Sequence, residues 1–394
     1  MKKILMVGAG FLQRFVIQKA RSMGYYTLAV DGNPNAVGLA DADEYAVVNI
    51  VDQEAVLAYA REKRIDGVMT AATDYGVLSA SYVAQQLHLP GLDYTAAQRV
   101  KNKYEIRKCL FDAGADDSVL SQQVTQDTDL QLLASRIHYP VMVKPCDGSG
   151  SRGAAKIEEA EAFPEACREA MANSLIRRAT IEPFVVGQEY GVESCVVNGT
   201  VHVLAVMRKW MTQPPYYAEL GHAIPSGLPE EIENKIRACA AAAIRALGIN
   251  FGAVNMDLLL TKSGSVHIVD VGARMGGNLI CSHIVPAGTG IDYVGNMIRA
   301  AVGDPVDLHG EACSAVATRL LAFREGTVND LPDVMALEKT YGVEIYHHMT
   351  EGMHVNEYHT NLDGCGYIVA KSETIEVAIE KATAVLTEYQ ASVK

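Results

Sequence analysis

Short, wholly apolar runs alternate with helical stripes along the first hundred residues. Ile4 to Val7 is an unbroken apolar run that stops at Gly8, and a 3.6-residue pattern follows from about Leu12 to Met23, ending at Gly24. Thr27 to Val30 is a second run, closed by Asp31. Tyr45 to Ile50 and Gly67 to Ala71 repeat the strand signature, with helical patterns near 53–63 and 75–87. Runs apolar on both parities are strands buried on both faces, and their alternation with helices predicts a parallel, Rossmann-like sheet. Gly8 and Gly10 open the first helix and Asp31 ends the second strand, as in a dinucleotide fingerprint, but the third glycine position holds Gln13. These glycines read as turn and packing residues.

The pattern changes after residue 120. Val141 to Pro145 reads as a strand, residues 146–153 as a Gly/Ser loop, and Ala154 to Ile157 as extended again. A glycine loop between two strands is not a P-loop, which leads into a helix. A hairpin of small residues can still fold over phosphates, with backbone N–H groups and hydroxyls as donors. Lys144 at its base and Arg152 within it add positive charge. Thr180 to Tyr190 is an apolar segment suited to a purine edge, and Glu189 and Glu193 share strand parity, so they point to one face.

Two apolar strands follow, Ala253 to Thr261 and Val266 to Val271. With Ser263-Gly264 as a two-residue turn, counting outward sets Asp257 directly opposite Asp270. Opposed residues on one face lie about 4.5–5.5 Å apart, where like charges repel. Such carboxylates share a proton or a cation, and Mg²⁺ is the natural cation beside phosphates. Arg274 stands four residues beyond, among glycines. Ile232, Ile236, Ala240, Ile244 and Leu247 form one helical stripe between Pro229 and Gly248. The intervening segment 216–229, rich in Gly, Pro and Tyr, reads as a loop. In the last ninety residues Cys313 to Phe323, Tyr341 to Met349 and Gly366 to Ala370 read as strands, with a closing helix from about Glu373. His347, His348, His354 and His359 follow strand alternation and lack zinc spacing.

Composition narrows the class. The 394 residues suggest two or three domains, and 34 Lys and Arg against 47 Asp and Glu give a net charge of −13. That balance argues against a nucleic-acid partner and against an anionic membrane surface. No apolar run approaches a membrane span, no leader pattern opens the chain, and the eight cysteines are scattered without a CxxC. A reduced, cytoplasmic protein is expected.

Together these motifs resemble the ATP-grasp superfamily of carboxylate–amine or carboxylate–thiol ligases, over most of the chain. The resemblance implies an α/β and α+β architecture in three parts: a pre-grasp domain (1–105), a bipartite nucleotide clamp (106–305, lobes about 115–185 and 186–305) and a small C-terminal α+β lobe (306–394). It implies Lys103 and Lys144 as nucleotide lysines, Ser149, Ser151, Arg152 and Gly153 as the mobile phosphate loop, and Glu182, Phe184 and Val185 as the adenine hinge. It further implies Glu189 as the ribose acid, Asp257 and Asp270 as metal ligands, and Arg274 beside an acyl phosphate. Two positions depart from the pattern. The second metal acid is Asp270 where Glu is usual, and Gly272 stands where an Asn often does, with Asn278 or Asn255 as the compensating amide. The segment 216–229 resembles the L-amino-acid ligase branch, which implies Glu219 and His222 at the substrate, with Arg208 and Lys209 meeting phosphates or a substrate carboxylate. The implied catalytic set is Arg274, His222 and Lys144. The cofactors would be ATP and Mg²⁺, with Mn²⁺ as an alternative metal, and the partners small carboxylates and amines, homodimers being common among similar proteins. The expected reaction is ATP-dependent amide formation through an acyl phosphate. The alternatives are a carboxyphosphate-forming carboxylase of the purine-synthesis type and a non-enzymatic nucleotide-binding protein.

Overall fold

In the computed structural model, which describes residues 1–147, 153–214, 216–311 and 313–394, the first apolar runs form β1 (Lys3–Val7), β2 (Tyr26–Asp31), β3 (Glu44–Val47) and β4 (Gly67–Met69). They make a parallel sheet in the order β3-β2-β1-β4. The two central strands are buried along nearly their whole length, as their unbroken apolar sequence requires. β3 stops at Val47, short of the expected Ile50, because it is the sheet's edge and leaves Tyr45 and Val47 exposed. Asp31 is occupied locally. Its carboxylate accepts from the backbone N–H of Ala9 at 2.8 Å and of Asn33 at 2.8 Å, so it holds the first turn together. Gln13, in place of the third glycine, is buried and donates to the Ala71 carbonyl at 2.6 Å.

A second, antiparallel sheet holds β5 (Gln122–Val124), β6 (Val141–Pro145), β7 (Ala155–Ile157) and β8 (Ala179–Pro183) in the order β5-β8-β6-β7. The hairpin expected around the Gly/Ser loop is present, with Val141 paired to Ile157. The helix Phe163–Ala172 covers this sheet through Phe163, Cys167 and Ala170.

The remaining strands are β9 (Gln188–Val197), β10 (Thr200–Met211), β11 (Glu219–Ile224), β12 (Gly252–Leu260), β13 (Val266–Gly272), β14 (Ala315–Leu320), β15 (Gly326–Thr327), β16 (Val343–His347), β17 (His354–Val355) and β18 (Gly366–Ser372). Eight of them form one sheet, β13-β12-β9-β10-β11-β14-β18-β16. The helix Glu230–Ala246 packs its stripe of Ile236, Ala240 and Ile244 into the core under β9 and β12.

One expectation changes here. The segment 216–229 is not all loop, since β11 pairs with β10 on one side and β14 on the other. Its Gly221, polar His222 and cis Ile224-Pro225 bond hide a strand that is buried from both faces. β14, β18 and β16 continue the central sheet across the β11–β14 pairing, which no local sequence pattern announces.

Candidate active site

A cleft of about 1700 Å³ opens between the three sheets. Lys103, Lys144, Glu182, Phe184, Val185, Glu189, Glu219, Asp257, Asp270 and Arg274 all stand on its wall. Arg208 and His222 do not. Strand parity turns Arg208 to the far face, where its guanidinium lies over Trp210 at 5.2 Å from the ring centre. The neighbouring Lys209 faces the cleft instead. Gly153 has φ +67° at the foot of the hairpin. Ser149, Ser151 and Arg152 lie outside the described residues.

Asp257 and Asp270 are directly opposed across β12 and β13, as counted from the sequence, but by a different route. The turn is one residue longer than expected, since Leu260 pairs with Val266 and the Thr261 N–H donates to Ser265 at 2.9 Å. A bulge at Val269, left unpaired between Ile268 and Asp270, restores the pairing. Bulges of this kind re-aim side chains beside functional sites. Asp270 is met by Lys103 Nζ at 2.5 Å, from the start of the helix Lys103–Ala113, whose first turn Asn102 caps. Asp257 is met by Lys209 Nζ at 2.7 Å. The mutual repulsion expected of two bare carboxylates is therefore offset, each acid having its own lysine.

Lys209 is almost fully buried and touches three carboxylates: Asp257, Glu219 at 2.7 Å and Glu189 at 2.9 Å. A second bulge makes this cluster. Trp210 pairs with Gly221 and Met211 with Glu219, so Leu220 is the extra residue and Glu219 and His222, three apart, reach the same face. Burial pushes the Asp257 carboxyl up to about 7; Lys209 opposes that rise, while Glu219 and Glu189 add to it. Glu219 is also buried, but Lys209 outweighs the burial and holds its carboxyl down at about 2. His222 lies behind Glu219, 3.9 Å from its carboxylate, and burial lowers its pKa to about 4. Its imidazole is thus neutral in the fold. Because protonating it would cost folded-state stability, its contribution is complete above about pH 6.5 and falls away as the pH drops toward 4. Denaturant titrations at pH 7.5 and pH 5 should show a smaller loss in His222→Phe than in the parent chain. An equal loss would place the titration elsewhere.

The second lysine sits in a buried trio. Lys144 Nζ lies 2.9 Å from Glu182, which also pairs with Arg107 at 3.0 Å. Burial alone would raise the Glu182 carboxyl, but the two cations hold it down at about 2. Its side chain is committed to them. Beside it, the backbone N–H and C=O of Val185 take no partner among the described residues.

Arg274 is fixed from two sides. Its Nε–H and Nη2–H donate to the two oxygens of Asp74, at 3.0 and 3.2 Å, and Nη1–H donates to Asn255 Oδ1 at 3.2 Å. Asn255 Nδ2 in turn donates to the buried Glu193 at 3.0 Å. Burial pushes the Glu193 carboxyl up to about 7 against the N–H groups of Gly276 and Asn255 and the hydroxyl of Tyr293. Sequence reasoning missed Asp74 and Arg107 as site residues, and it named Lys209 only beside Arg208, for phosphates or a substrate carboxylate, and not as the partner of three acids. For Lys209 the signal was present, because it shares parity with Met207 and Met211 in an alternating strand. Asp74 follows a strand in a different sheet, and nothing local points to it.

The donor set suits a hard divalent cation. Two opposed carboxylates and Asn255 line the cleft, and an acid whose carboxyl burial pushes up to about 7 despite Lys209 is one that a metal would ionise. Among the described residues no group of three His, Cys, Asp or Glu stands ready to hold a metal unaided. Two carboxylates leave further coordination positions open, the arrangement used where substrate phosphates complete the shell.

Residues 137–282 match the family described as the ATP-grasp domain. Those residues form an ATP-grasp domain. The fold is that of the L-amino acid ligase of Bacillus licheniformis, with a TM-score of 0.84 and 21% identity over 99% of this chain and 98% of that one. It is likewise that of the biotin carboxylase domain of Hydrogenobacter thermophilus 2-oxoglutarate carboxylase, solved with MgADP and bicarbonate, with a TM-score of 0.78 and 17% identity over 100% and 91%. Among curated relatives, human carnosine synthase 1 is 24% identical over 77% of this chain, which spans 40% of that protein's length. No helix among the described residues of this chain is long and apolar enough to cross a membrane.

Proposed function

We propose that this chain is an ATP-grasp enzyme that uses ATP and Mg²⁺ to join a carboxylate, of amino-acid type, to an amine through an acyl phosphate, releasing ADP and phosphate. The observation that carries the reading is the convergence of Lys103, Lys144, Arg274 and the Asp257–Asp270 pair on one cleft. Phosphoryl transfer asks a protein mainly for positioning and charge neutralisation, and these groups supply both. Asp257, Asp270 and Asn255 would hold Mg²⁺, which neutralises phosphate charge when bound. Lys144, at the root of the glycine hairpin, and Lys103 meet phosphate oxygens. The open backbone edge at Val185 receives the adenine, and Glu189 the ribose. Arg274 stabilises the charge that builds on the transferred phosphoryl group. The amine then attacks the activated carbonyl and expels phosphate, with no side-chain nucleophile required. The resemblance to amino-acid and dipeptide ligases supports an amino acid as the carboxylate. His222, behind Glu219, shapes this end of the cleft from beneath.

The test is ADP release over pairs of amino acids, with bicarbonate as a separate arm and product mass for every hit. Release that needs an acid and an amine supports the ligase. Release with bicarbonate alone would overturn it in favour of a carboxylase. For the nucleotide site, Lys144→Ala should weaken ATP binding about 10- to 100-fold, the usual worth of a charge-assisted hydrogen bond. Arg14→Ala, at the first glycine turn, should leave it unchanged. Normal calorimetric affinity in Lys144→Ala would displace the phosphates from the hairpin.

A further inference from the structure

The loop that follows β4 belongs to the first sheet, yet it is clasped to the segment carrying Arg274. Ala71 forms a parallel bridge with Met275, and the Ala72 N–H donates to the Met275 carbonyl at 3.1 Å. Ala72 sits at φ +54°, a left-handed conformation unfavourable for a residue with a Cβ. Gln13, the residue that breaks the dinucleotide fingerprint, ties down the same loop through the Ala71 carbonyl at 2.6 Å. The loop delivers Asp74, whose two oxygens receive Arg274 Nε–H and Nη2–H at 3.0 and 3.2 Å.

Gly272 explains how the carboxylate fits. A Cβ at this position would stand 3.0 Å from Asp74 Oδ1 and 3.2 Å from the Arg274 guanidinium carbon. The space a side chain would fill is occupied by the Asp74–Arg274 pair. A small chamber of about 40 Å³ beside the pair is lined by Asp74, Lys103, Asn255, Asp257, Asp270 and Arg274, so the pair borders the metal-facing acids.

We infer that Asp74 is a positioning residue, holding Arg274 toward the phosphoryl site from the first domain, in the room that Gly272 leaves free. A guanidinium on a flexible stem has many rotamers. Two parallel hydrogen bonds to a carboxylate fix its plane, and Asn255 fixes its far edge. The departure at Gly272 then has a reason: an asparagine there would displace the pair that orients Arg274.

The inference rests on the ligase reading, and two measurements separate its failure from that reading's. The first needs no substrate. In ¹⁵N-arginine spectra, the Arg274 Nε–H, assigned by its loss in Arg274→Lys, should exchange with solvent about tenfold more slowly in the parent chain than in Asp74→Asn, since a bonded, buried N–H is protected. Equal exchange would overturn the inference whatever the enzyme catalyses. The second measures ADP release. Asp74→Asn keeps the shape and one acceptor, and should lower kcat about 10- to 100-fold with KM for ATP within about twofold, the pattern of a misplaced group acting in the transition state. Gly272→Asn should lower kcat in the same way, and the double variant should lose no more than the worse single one, because both act on one pair. A Gly272→Asn variant as active as the parent, or a kcat for Asp74→Asn within twofold of it, would overturn the inference. A parent chain that releases no ADP with any pair would sink the ligase reading and leave the exchange result standing.

Discussion

Lys209→Met should cost about 3–5 kcal/mol of stability, the usual consequence of removing one partner from a buried ion pair. The reason is the imbalance around it. One ammonium, 1% exposed, faces Glu189, Glu219 and Asp257 within 2.9 Å. Without it, three acids share a buried space with no cation, and they must take up protons or draw in water. Asp257 already keeps a proton to about 7. Glu219 would join it, because it is the lysine that holds its carboxyl down at about 2. Methionine preserves the apolar stem, which passes the open side of Gly191, so the loss reports the charge and not the packing. Urea denaturation at pH 7.5 is the measurement. A second sign should appear with it: the variant should regain stability as the pH falls toward 5, since protonation relieves the repulsion. A loss under about 1 kcal/mol would mean that the three acids find other partners and that Lys209 is not their anchor.

The largest effect on activity is expected at the opposed acids. Asp270→Asn and Asp257→Asn should each reduce ligase turnover about 10³-fold, the scale for removing a preorganised electrostatic group from a transition state. Their folds should respond differently. Asp270 is the acid paired with Lys103 at 2.5 Å, so Asp270→Asn strands a half-buried ammonium and should lower the melting temperature. Asp257→Asn leaves Lys209 with two carboxylates and should melt close to the parent. Turnover near the parent's in both variants would remove the metal from this pair of strands, and equal melting losses would contradict the separate pairing of each acid.

Much of this site is legible in the sequence. The alternation of apolar runs and helical stripes determines the parallel first sheet, and the stripe from Ile236 to Ile244 determines the helix beneath the central one, because local periodicity reports which face meets the core. The hairpin around residues 146–153, the lysine at its base and the acids on two adjacent strands are local facts as well. The Asp257–Asp270 pairing is an instructive case: the sequence count is right, yet a longer turn and the bulge at Val269 cancel within it. A bulge costs one ladder position and leaves no composition signal, so its place is set by what the strand packs against.

Tertiary structure alone decided the rest. It turned Arg208 outward and Lys209 inward, because β10 pairs with β9 and β11 and one parity must face the cleft. It placed His222 beneath the cleft floor behind Glu219, through the bulge at Leu220. It joined three C-terminal strands to the central sheet, and it brought Asp74 across from the first sheet's loop to Arg274, 200 residues away along the chain. The sequence by itself determined which chemistry the chain carries and on which strands. Which side chains pair, and which reach the cleft, were settled by contacts between distant segments, where neither periodicity nor propensity holds any record.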